Sequence, residues 1–304
     1  MSDTNTVGNI SCTKAVCSGW DRMEKTLFHP FDLGKWFLLG FSAWLANLGQ
    51  GFGVHFNFPS VPQKGSFPLE NIPAALLVVI CCIAVAVSMV CLVLAIVMLW
   101  IRSRGDFMFL DNLVHGRTSV LEPWRKYSGQ GNSLFMFRIA SWIFFIGFLL
   151  MTLASSLLLC WHSLRTGKMD SFCIAGISFG ILCLFIFILT VVFYEISLKS
   201  FIVPIMFRRQ TGSCDASVEF LTLFSGNLAG FIRYYLMYML LSLCASIAVV
   251  IFIFSTCCLC CIGLIVLCLP YLWAVVMLPI LTFFRFYSIE FLAQFGDDYN
   301  VYAG

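Results

Sequence analysis

Charged residues are scarce in this chain of 304 residues, and their scarcity excludes a soluble globular protein. Only 11% of the residues are Asp, Glu, Lys or Arg, whereas 61% are hydrophobic; soluble domains carry about 25% charged and about 45–50% apolar residues. Long stretches without any charge include 139–164, 171–194 and 234–284. Since about 20 apolar residues in a helix cross the ~30 Å hydrocarbon layer of a bilayer, the sequence predicts an integral membrane protein with several spans.

Catalytic motifs are also missing. The chain has no H-E-x-x-H or G-x-S-x-G motif, and the glycine-rich 49–53 lacks the Lys-Ser/Thr pair of a phosphate-binding loop. Its four histidines are scattered without ligand spacing. The clearest spans carry no ionisable residue near mid-membrane, where such a residue would mark a functional site. We therefore expect no enzymatic activity, no cofactor and no nucleic-acid partner.

The apolar stretches predict an all-α fold with six transmembrane helices in three hairpins. The spans are expected at about 35–49, 73–100, 134–161, 172–194, 231–255 and 264–284. The first is short, but if it crosses the membrane, 15 of the 18 Lys and Arg residues fall on one side. If it does not, the split is 11 to 7. Because Lys and Arg concentrate on cytoplasmic loops, the more uneven split favours six spans with both termini in the cytoplasm.

Three similar segments, opening at Gly34, Gly131 and Gly226, begin spans about 95–97 residues apart and agree with three hairpins. We expect a flexible cytoplasmic N-terminus over 1–19, a transmembrane domain over 20–296 and a cytoplasmic tail over 297–304. The linkers are amphipathic. Their apolar faces are expected to lie in the headgroup layer at Trp20–Phe31, Phe107–Gly116 and Phe286–Gly296.

Ionisable residues at the cytoplasmic ends of the spans form two predicted groups. The first is an interfacial polar network at one depth: Asp111, Arg138, Glu195, Lys199, Arg233, Arg285 and Glu290. The second is a set of basic residues that could meet anionic lipid headgroups: Arg102, Arg104, Arg125, Lys126, Arg208 and Arg209. Structural ion pairing and the fixing of topology are the alternatives to binding.

Cysteine is abundant, with 15 residues, and five of them fall within "CCLCCIGLIVLC" (257–268), which covers the turn between the last two spans and the start of the last one. Cys257, Cys260 and Cys261 share one helix face and, with Cys268, are weak candidates for a soft metal. A disulfide on the outer face is another possibility. The favoured interpretation is close helix packing by small, soft side chains at a turn, so we expect no metal.

Several segments carry a resemblance to known proteins: "LFHPFDLGKWFLLGFSAWL" (27–45), "RGDFMFLDN" (104–112), "GNSLFMFR" (131–138) and "LPYLWAVVMLPILTFFRFYSIEFLAQFG" (269–296). The chain resembles an uncharacterised family of bacterial multi-pass membrane proteins. In layout it is similar to YciC-like proteins and to the membrane domain of some glycerophosphodiester phosphodiesterases. The resemblance implies a six-helix domain in the bacterial inner membrane and brings no assigned activity or functional residues.

Two functions fit these features. The first is a non-enzymatic scaffold or accessory protein whose partners are membrane lipids and either another membrane protein or a second copy. The alternative is a transporter or lipid-handling protein that uses a cleft between hairpins, with Pro270 and Pro279 breaking the last span. A water-accessible cavity that reaches mid-membrane would favour the alternative.

Overall fold

The computed structural model describes residues 11–49, 74–116, 119–166, 171–259 and 269–302, and every regular element in these ranges is a helix. In chain order they are α1 (Cys12–Phe28), α2 (Leu33–Ala46), α3 (Ala74–His115), α4 (Leu121–Lys126), α5 (Ser128–Thr166), α6 (Ser171–Ser197), a π-helical turn (Leu198–Ile202), α7 (Val203–Arg209), α8 (Ser213–Gly226), α9 (Leu228–Leu259), α10 (Pro270–Val276), α11 (Leu278–Leu292) and two 3₁₀ turns (Ala293–Phe295 and Asp297–Tyr299). The prediction of an all-α fold is confirmed.

Among the described residues, four helical segments are long and apolar enough to cross a membrane. They are Val78–His115, Ser128–Trp161, Ser171–Arg209 and Leu228–Thr256. These segments correspond to the predicted spans 73–100, 134–161, 172–194 and 231–255. The chain is therefore a membrane protein with several spans, as its composition predicts. The three-hairpin arrangement stays a prediction.

The first predicted span, 35–49, corresponds to α2. This helix begins where the Asp32 carboxylate accepts a hydrogen bond from the N–H of Gly34 at 2.8 Å. Its 14 residues give a length of about 21 Å, shorter than the ~30 Å hydrocarbon layer. It contacts α3 at Gly105, where a Cβ would lie only 2.7 Å from the backbone nitrogen of Ala46. Because every described side chain of α3 from Val78 to Met98 is exposed, α2 packs beside the later half of α3.

The sixth predicted span, 264–284, begins outside the described residues. Its described part consists of two helices, because α10 ends at Val276 and α11 starts at Leu278. Pro279 lies in the first turn of α11, where its missing N–H is tolerated. Tyr271 of α10 donates a hydrogen bond to the carbonyl of Phe37 at 2.9 Å. The helix break that Pro279 predicts is present.

Two of the amphipathic linkers differ from the expectation that they lie in the headgroup layer. Phe107–Gly116 is no separate helix, because α3 continues through it to His115, and Phe107, Met108 and Leu110 are fully buried. In the segment Phe286–Gly296, most of the aromatic and aliphatic side chains are buried too. The apolar faces of both segments are covered by protein.

The chain forms two compact units. The first contains residues 11–19, 132–234 and 285–302, and its core is aromatic. The Phe201 ring lies 5.3 Å from Phe220, 5.1 Å from Phe231 and 4.8 Å from Tyr234. In the second unit, residues 20–131 and 235–284, α2 packs on α3 and α10. These packed regions hold the polar side chains described next.

Candidate functional site

A basic and aromatic cluster stands at the end of the exposed apolar stretch of α3. The Arg104 guanidinium lies 4.4 Å from the ring centre of Trp100 and 5.4 Å from that of Trp124. The two indole rings meet edge to face at 5.9 Å. Arginine over an aromatic face is held by a cation–π attraction, so this side chain is fixed in place close to where the apolar surface ends.

Local sequence explains how this cluster forms. Trp100 and Arg104 are one helical turn apart and therefore share a face of α3. The short helix α4 follows directly and brings Trp124 against them. Gly131 is also required, because a Cβ at that position would lie 2.7 Å from Cγ of Arg104. A glycine at this contact lets the stem of the arginine pass close to α5.

Two further cations extend the cluster outwards. Arg125 and Lys126 are exposed at the end of α4, and the Lys126 ammonium lies 5.0 Å from the Tyr127 ring. Leu121, at the start of the same helix, is 72% exposed. We call Trp100, Arg104, Trp124, Arg125 and Lys126 the basic–aromatic edge. Exposed apolar, indole and cationic side chains in this order along a helix are typical of a membrane–water interface.

The six predicted headgroup residues separate into different environments. Arg102 is only 5% exposed and has interactions inside the protein. Arg209 forms an ion pair with Glu219 at 2.9 Å, and Asp298 lies 3.7 Å away. Its guanidinium also lies 5.4 Å from the Tyr299 ring, and Arg208 beside it is half-buried. Arg104, Arg125 and Lys126 are the members that the structure groups together.

The pKa of Tyr299 next to Arg209 is raised, because burial disfavours the phenolate and Glu219 adds a nearby negative charge. A neutral hydroxyl suits its position between an acid and a guanidinium. Arg209, Glu219, Asp298 and Tyr299 therefore hold the C-terminal 3₁₀ turn against α7 and α8, and we assign this group a structural role.

The members of the predicted interfacial network take part in several polar contacts, and their joining into one network stays a prediction. Asp111 is 4% exposed and accepts a hydrogen bond from the Tyr127 hydroxyl at 3.0 Å. The His115 ring, one turn later on α3, lies 3.2 Å from the same carboxylate oxygen. Asp111 thus belongs to the packed end of α3, within the second unit.

Arg138, Lys199 and Arg285 are members of that network in the first unit. Arg138 is completely buried and Arg285 is 7% exposed. Arg285 Nη1 donates a hydrogen bond to the main-chain carbonyl of Lys199. Glu195 and Lys199 are half-buried, and both have further interactions within the protein.

Arg233 and Glu290 are the remaining members of the predicted network. Arg233 is exposed, and its Nε donates to the carbonyl of Ala229 in its own helix at 3.2 Å. The Glu290 carbonyl accepts a hydrogen bond from Gln294 at 3.4 Å, and this glutamate has other interactions too.

The cysteine cluster lies mostly beyond what can be described. Cys260, Cys261 and Cys268 are outside the described residues, and of Cys257 only the backbone, within α9, is described. The ten cysteines with described side chains are all free thiols. Among the described residues, no three His, Cys, Asp or Glu side chains come together as metal ligands. The favoured packing interpretation of this cluster stays a prediction.

The sequence-based predictions missed two structural features. One is the pair Trp100 and Trp124, for which the available signal was the position of Trp100 at the end of an apolar stretch. The other is a groove between α5 and α6, and its signal was the G-x-x-x-G spacing of Gly176 and Gly180, which is typical of close contacts between membrane helices.

Two buried titratable groups lie near each other on α1 and α11. Burial raises the pKa of the Cys12 thiol and of the Tyr287 hydroxyl above their ordinary values, and each group also affects the pKa of the other. The nearby positive charge of Arg233 has the opposite, smaller effect and lowers the pKa of the thiol. Tyr287 stacks on Tyr234 with ring centres 4.8 Å apart, and the Tyr234 hydroxyl lies 2.9 Å from the Ser288 hydroxyl.

Comparison with known proteins gives a family but no function. Residues 11–302 match the model of a family described as "Family of unknown function (DUF7544)". No curated protein matches the chain. No solved structure matches it either. The resemblance to YciC-like proteins and to the phosphodiesterase membrane domain gains no support and stays a prediction.

Proposed function

The chain belongs to DUF7544, a family of unknown function, and we propose that it is a non-enzymatic scaffold or accessory protein of the bacterial inner membrane. One observation carries the proposal. α3 is exposed from Val78 to Met98, but most of its residues from Arg102 to Leu113 are buried. A membrane helix that continues into a packed region fixes that region next to the bilayer, and this is what a scaffold requires.

We further propose six spans in three hairpins, with both termini in the cytoplasm. Support comes from the charge distribution and from a contact between the two ends of the chain. The N–H of Ser11 donates to Gln294 Oε1 at 2.8 Å, and Gln294 Nε2 donates to the carbonyl of Ser11 at 3.1 Å. Groups this close cannot lie on opposite sides of a ~30 Å hydrocarbon layer, which supports an even number of crossings.

The basic–aromatic edge is proposed to bind the phosphate of anionic lipids. Arg104 is held by two indoles and can present its guanidinium in a fixed orientation, while Arg125 and Lys126 add exposed positive charge. Each cation near an anionic surface contributes about 1 kcal/mol. A membrane-protein partner or a second copy completes the proposed scaffold role.

Lipid binding is tested by replacing Arg125 and Lys126 together with Gln. We expect delipidated protein in detergent to lose at least fivefold in affinity for an anionic phospholipid and to keep its affinity for a zwitterionic one. The matched control is the double variant Lys14→Gln/Lys25→Gln, which removes the same charge from exposed positions of α1. Equal effects of the two double variants would argue against a specific headgroup site.

Native cysteines can distinguish the scaffold from a transporter. Cys91 and Cys244 lie exposed on apolar stretches, and Cys160 lines the groove between α5 and α6. A charged, membrane-impermeant thiosulfonate should leave these three unmodified in intact inside-out vesicles, whose cytoplasmic face is turned outwards. Cys17 and Cys214, exposed on α1 and α8, serve as positive controls and should react from the cytoplasmic face. Modification of Cys160 without detergent would reveal water inside the membrane and favour the transporter.

A further inference from the structure

A groove runs between α5 and α6 within their membrane-spanning parts. Its volume is about 330 Å³, within the range of small-molecule sites. The lining residues are Leu149, Thr152, Leu153, Ser156, Leu157, Cys160, Gly176, Ile177, Gly180, Ile181 and Leu184. Leu149 is 11 residues and Cys160 22 residues after the buried Arg138, which places the groove about 16–33 Å from that arginine along α5.

Small residues form the floor of the groove, because the two helices touch there. A Cβ on Gly176 would lie 2.8 Å from Cβ of Leu159 and 3.2 Å from the carbonyl of Ser156. One turn later, a Cβ on Gly180 would be 3.4 Å from Cβ of Ser156. Leucines of α5 and isoleucines of α6 stand on either side. The result is a groove with small residues at its floor and branched aliphatic side chains along its walls.

The polar groups of this lining are satisfied inside the helix pair. Thr152 and Ser156 donate hydrogen bonds to the carbonyls of Leu149 and Leu153, at 2.8 and 2.9 Å. The Cys160 thiol donates to the carbonyl of Cys173 at 3.6 Å. No charged residue lines the groove. An apolar ligand in the groove would therefore gain dispersion contacts and bury apolar area. A polar solute would lose its hydration without gaining hydrogen bonds to the lining.

We propose that this groove binds one acyl chain of a membrane phospholipid. An uncharged, linear hydrocarbon matches the apolar lining in polarity and the groove in shape. At this depth the surrounding solvent is itself acyl chains, so the ligand is supplied by the bilayer. This inference does not depend on the scaffold role or on the headgroup site.

The test uses the full-length protein in phosphatidylcholine vesicles that contain a small fraction of phosphatidylcholine with a diazirine on one acyl chain. After photolysis, peptides from 149–184 should carry at least fivefold more label per exposed residue than α3 from Val78 to Met98. That stretch is an internal standard for ordinary lipid contact. Equal labelling of the two regions would overturn the proposal.

A variant that fills the groove provides the specific test. Leu153→Trp should lower the groove label at least fivefold, whereas Leu150→Trp should leave it unchanged. The control is matched, because Leu153 and Leu150 are 51% and 60% exposed on the same helix and only Leu153 lines the groove. Ile181→Trp, with Leu182→Trp as its control, repeats the test from the opposite wall if the first variant does not fold.

Native mass spectrometry of the unaltered protein gives an independent measurement. One phospholipid per chain should survive detergent washing that removes the others. A second copy of the chain in the groove would instead give background labelling and cross-linking between two Cys160 residues. That result would overturn the acyl-chain site.

Discussion

Arg285 donates a hydrogen bond to the main-chain carbonyl of Lys199, and the reason lies in the π-helical turn that begins at Leu198. In this turn the N–H of Val203 donates to the carbonyl of Leu198, five residues earlier. The next bond of the series would join residue 204 to Lys199, but residue 204 is proline and has no N–H. The guanidinium of Arg285 supplies the missing donor.

Replacing Arg285 with Met should therefore be destabilising. It removes a hydrogen bond from a charged donor and leaves the Lys199 carbonyl without it, at a cost of about 1.5–3 kcal/mol. The measurement is thermal unfolding in detergent. Arg233→Met is the control. Arg233 is exposed, and its hydrogen bond to the carbonyl of Ala229 stays within its own helix. This substitution should change the free energy of unfolding by less than about 0.5 kcal/mol.

A second substitution checks the mechanism. Pro204→Ala restores a backbone N–H at the position that can donate to Lys199. In the Arg285→Met background this change should recover part of the lost stability, whereas in the unaltered protein it should bring little gain. Identical effects in both backgrounds would show that Arg285 and Pro204 are not coupled.

Stability should fall at alkaline pH through Cys12 and Tyr287. Their pKa values are raised in the folded protein, chiefly by burial, so the unfolded chain releases these protons first. The stabilisation is complete below their ordinary values of 9.0 and 10.0 and is lost as pH rises above them, by up to about 1.4 kcal/mol per pH unit for each group.

Unfolding midpoints measured between pH 8 and 11 test this prediction. Tyr287→Phe should flatten the decline above pH 10 and Cys12→Ser the decline above pH 9. Cys17→Ser, at an exposed position of the same helix, is the control and should leave the profile unchanged. A profile insensitive to both variants would contradict the assignment.

Gly105 should not tolerate a side chain. A Cβ there would lie 2.7 Å from the backbone of both Leu45 and Ala46, so Gly105→Ala must push α2 away from α3, with an expected cost of about 1–3 kcal/mol. Gly129→Ala is the matched control. This glycine also lies in a helix but has nothing within 4 Å, and alanine there should stabilise the protein by about 0.5–1 kcal/mol. Thermal unfolding of both variants decides the matter.

The reciprocal hydrogen bonds between Ser11 and Gln294 predict that the two chain ends share one face of the membrane. Epitope tags on both ends should be digested together by protease in inside-out vesicles and protected together in right-side-out cells. Digestion of one tag from each face would contradict this arrangement.

Much of the fold follows from the sequence, because the length of a charge-free stretch is enough to identify a spanning helix. Four spans were predictable in this way, and the proline at position 279 predicted the break in the last one. The burial of Phe107–Gly116 within the protein was not predictable from the sequence. An amphipathic pattern shows that one face must be covered, but the same pattern suits lipid or protein as the cover, and here the cover is protein.

The polar side chains were harder to assign for a different reason. Sequence position gives the depth of a charged residue, so Asp111 and Arg285 were expected to meet at one level. Each has a partner that depth does not reveal. Asp111 accepts a hydrogen bond from the hydroxyl of Tyr127, and Arg285 donates to the Lys199 carbonyl, for which Pro204 has no N–H to offer. The positions of the charged residues do not reveal a main-chain carbonyl that lacks its N–H donor because of a proline.

The uninterrupted course of α3 also has a mechanical consequence. His115 lies 17 residues beyond Met98, so the helix extends about 25 Å past its exposed apolar stretch. Helices respond to a thicker or thinner bilayer by changing their tilt, and a rigid arm of this length converts a 10° change into a displacement of about 4 Å at its tip. A change in bilayer thickness is therefore expected to move the end of α3 together with the residues packed around it.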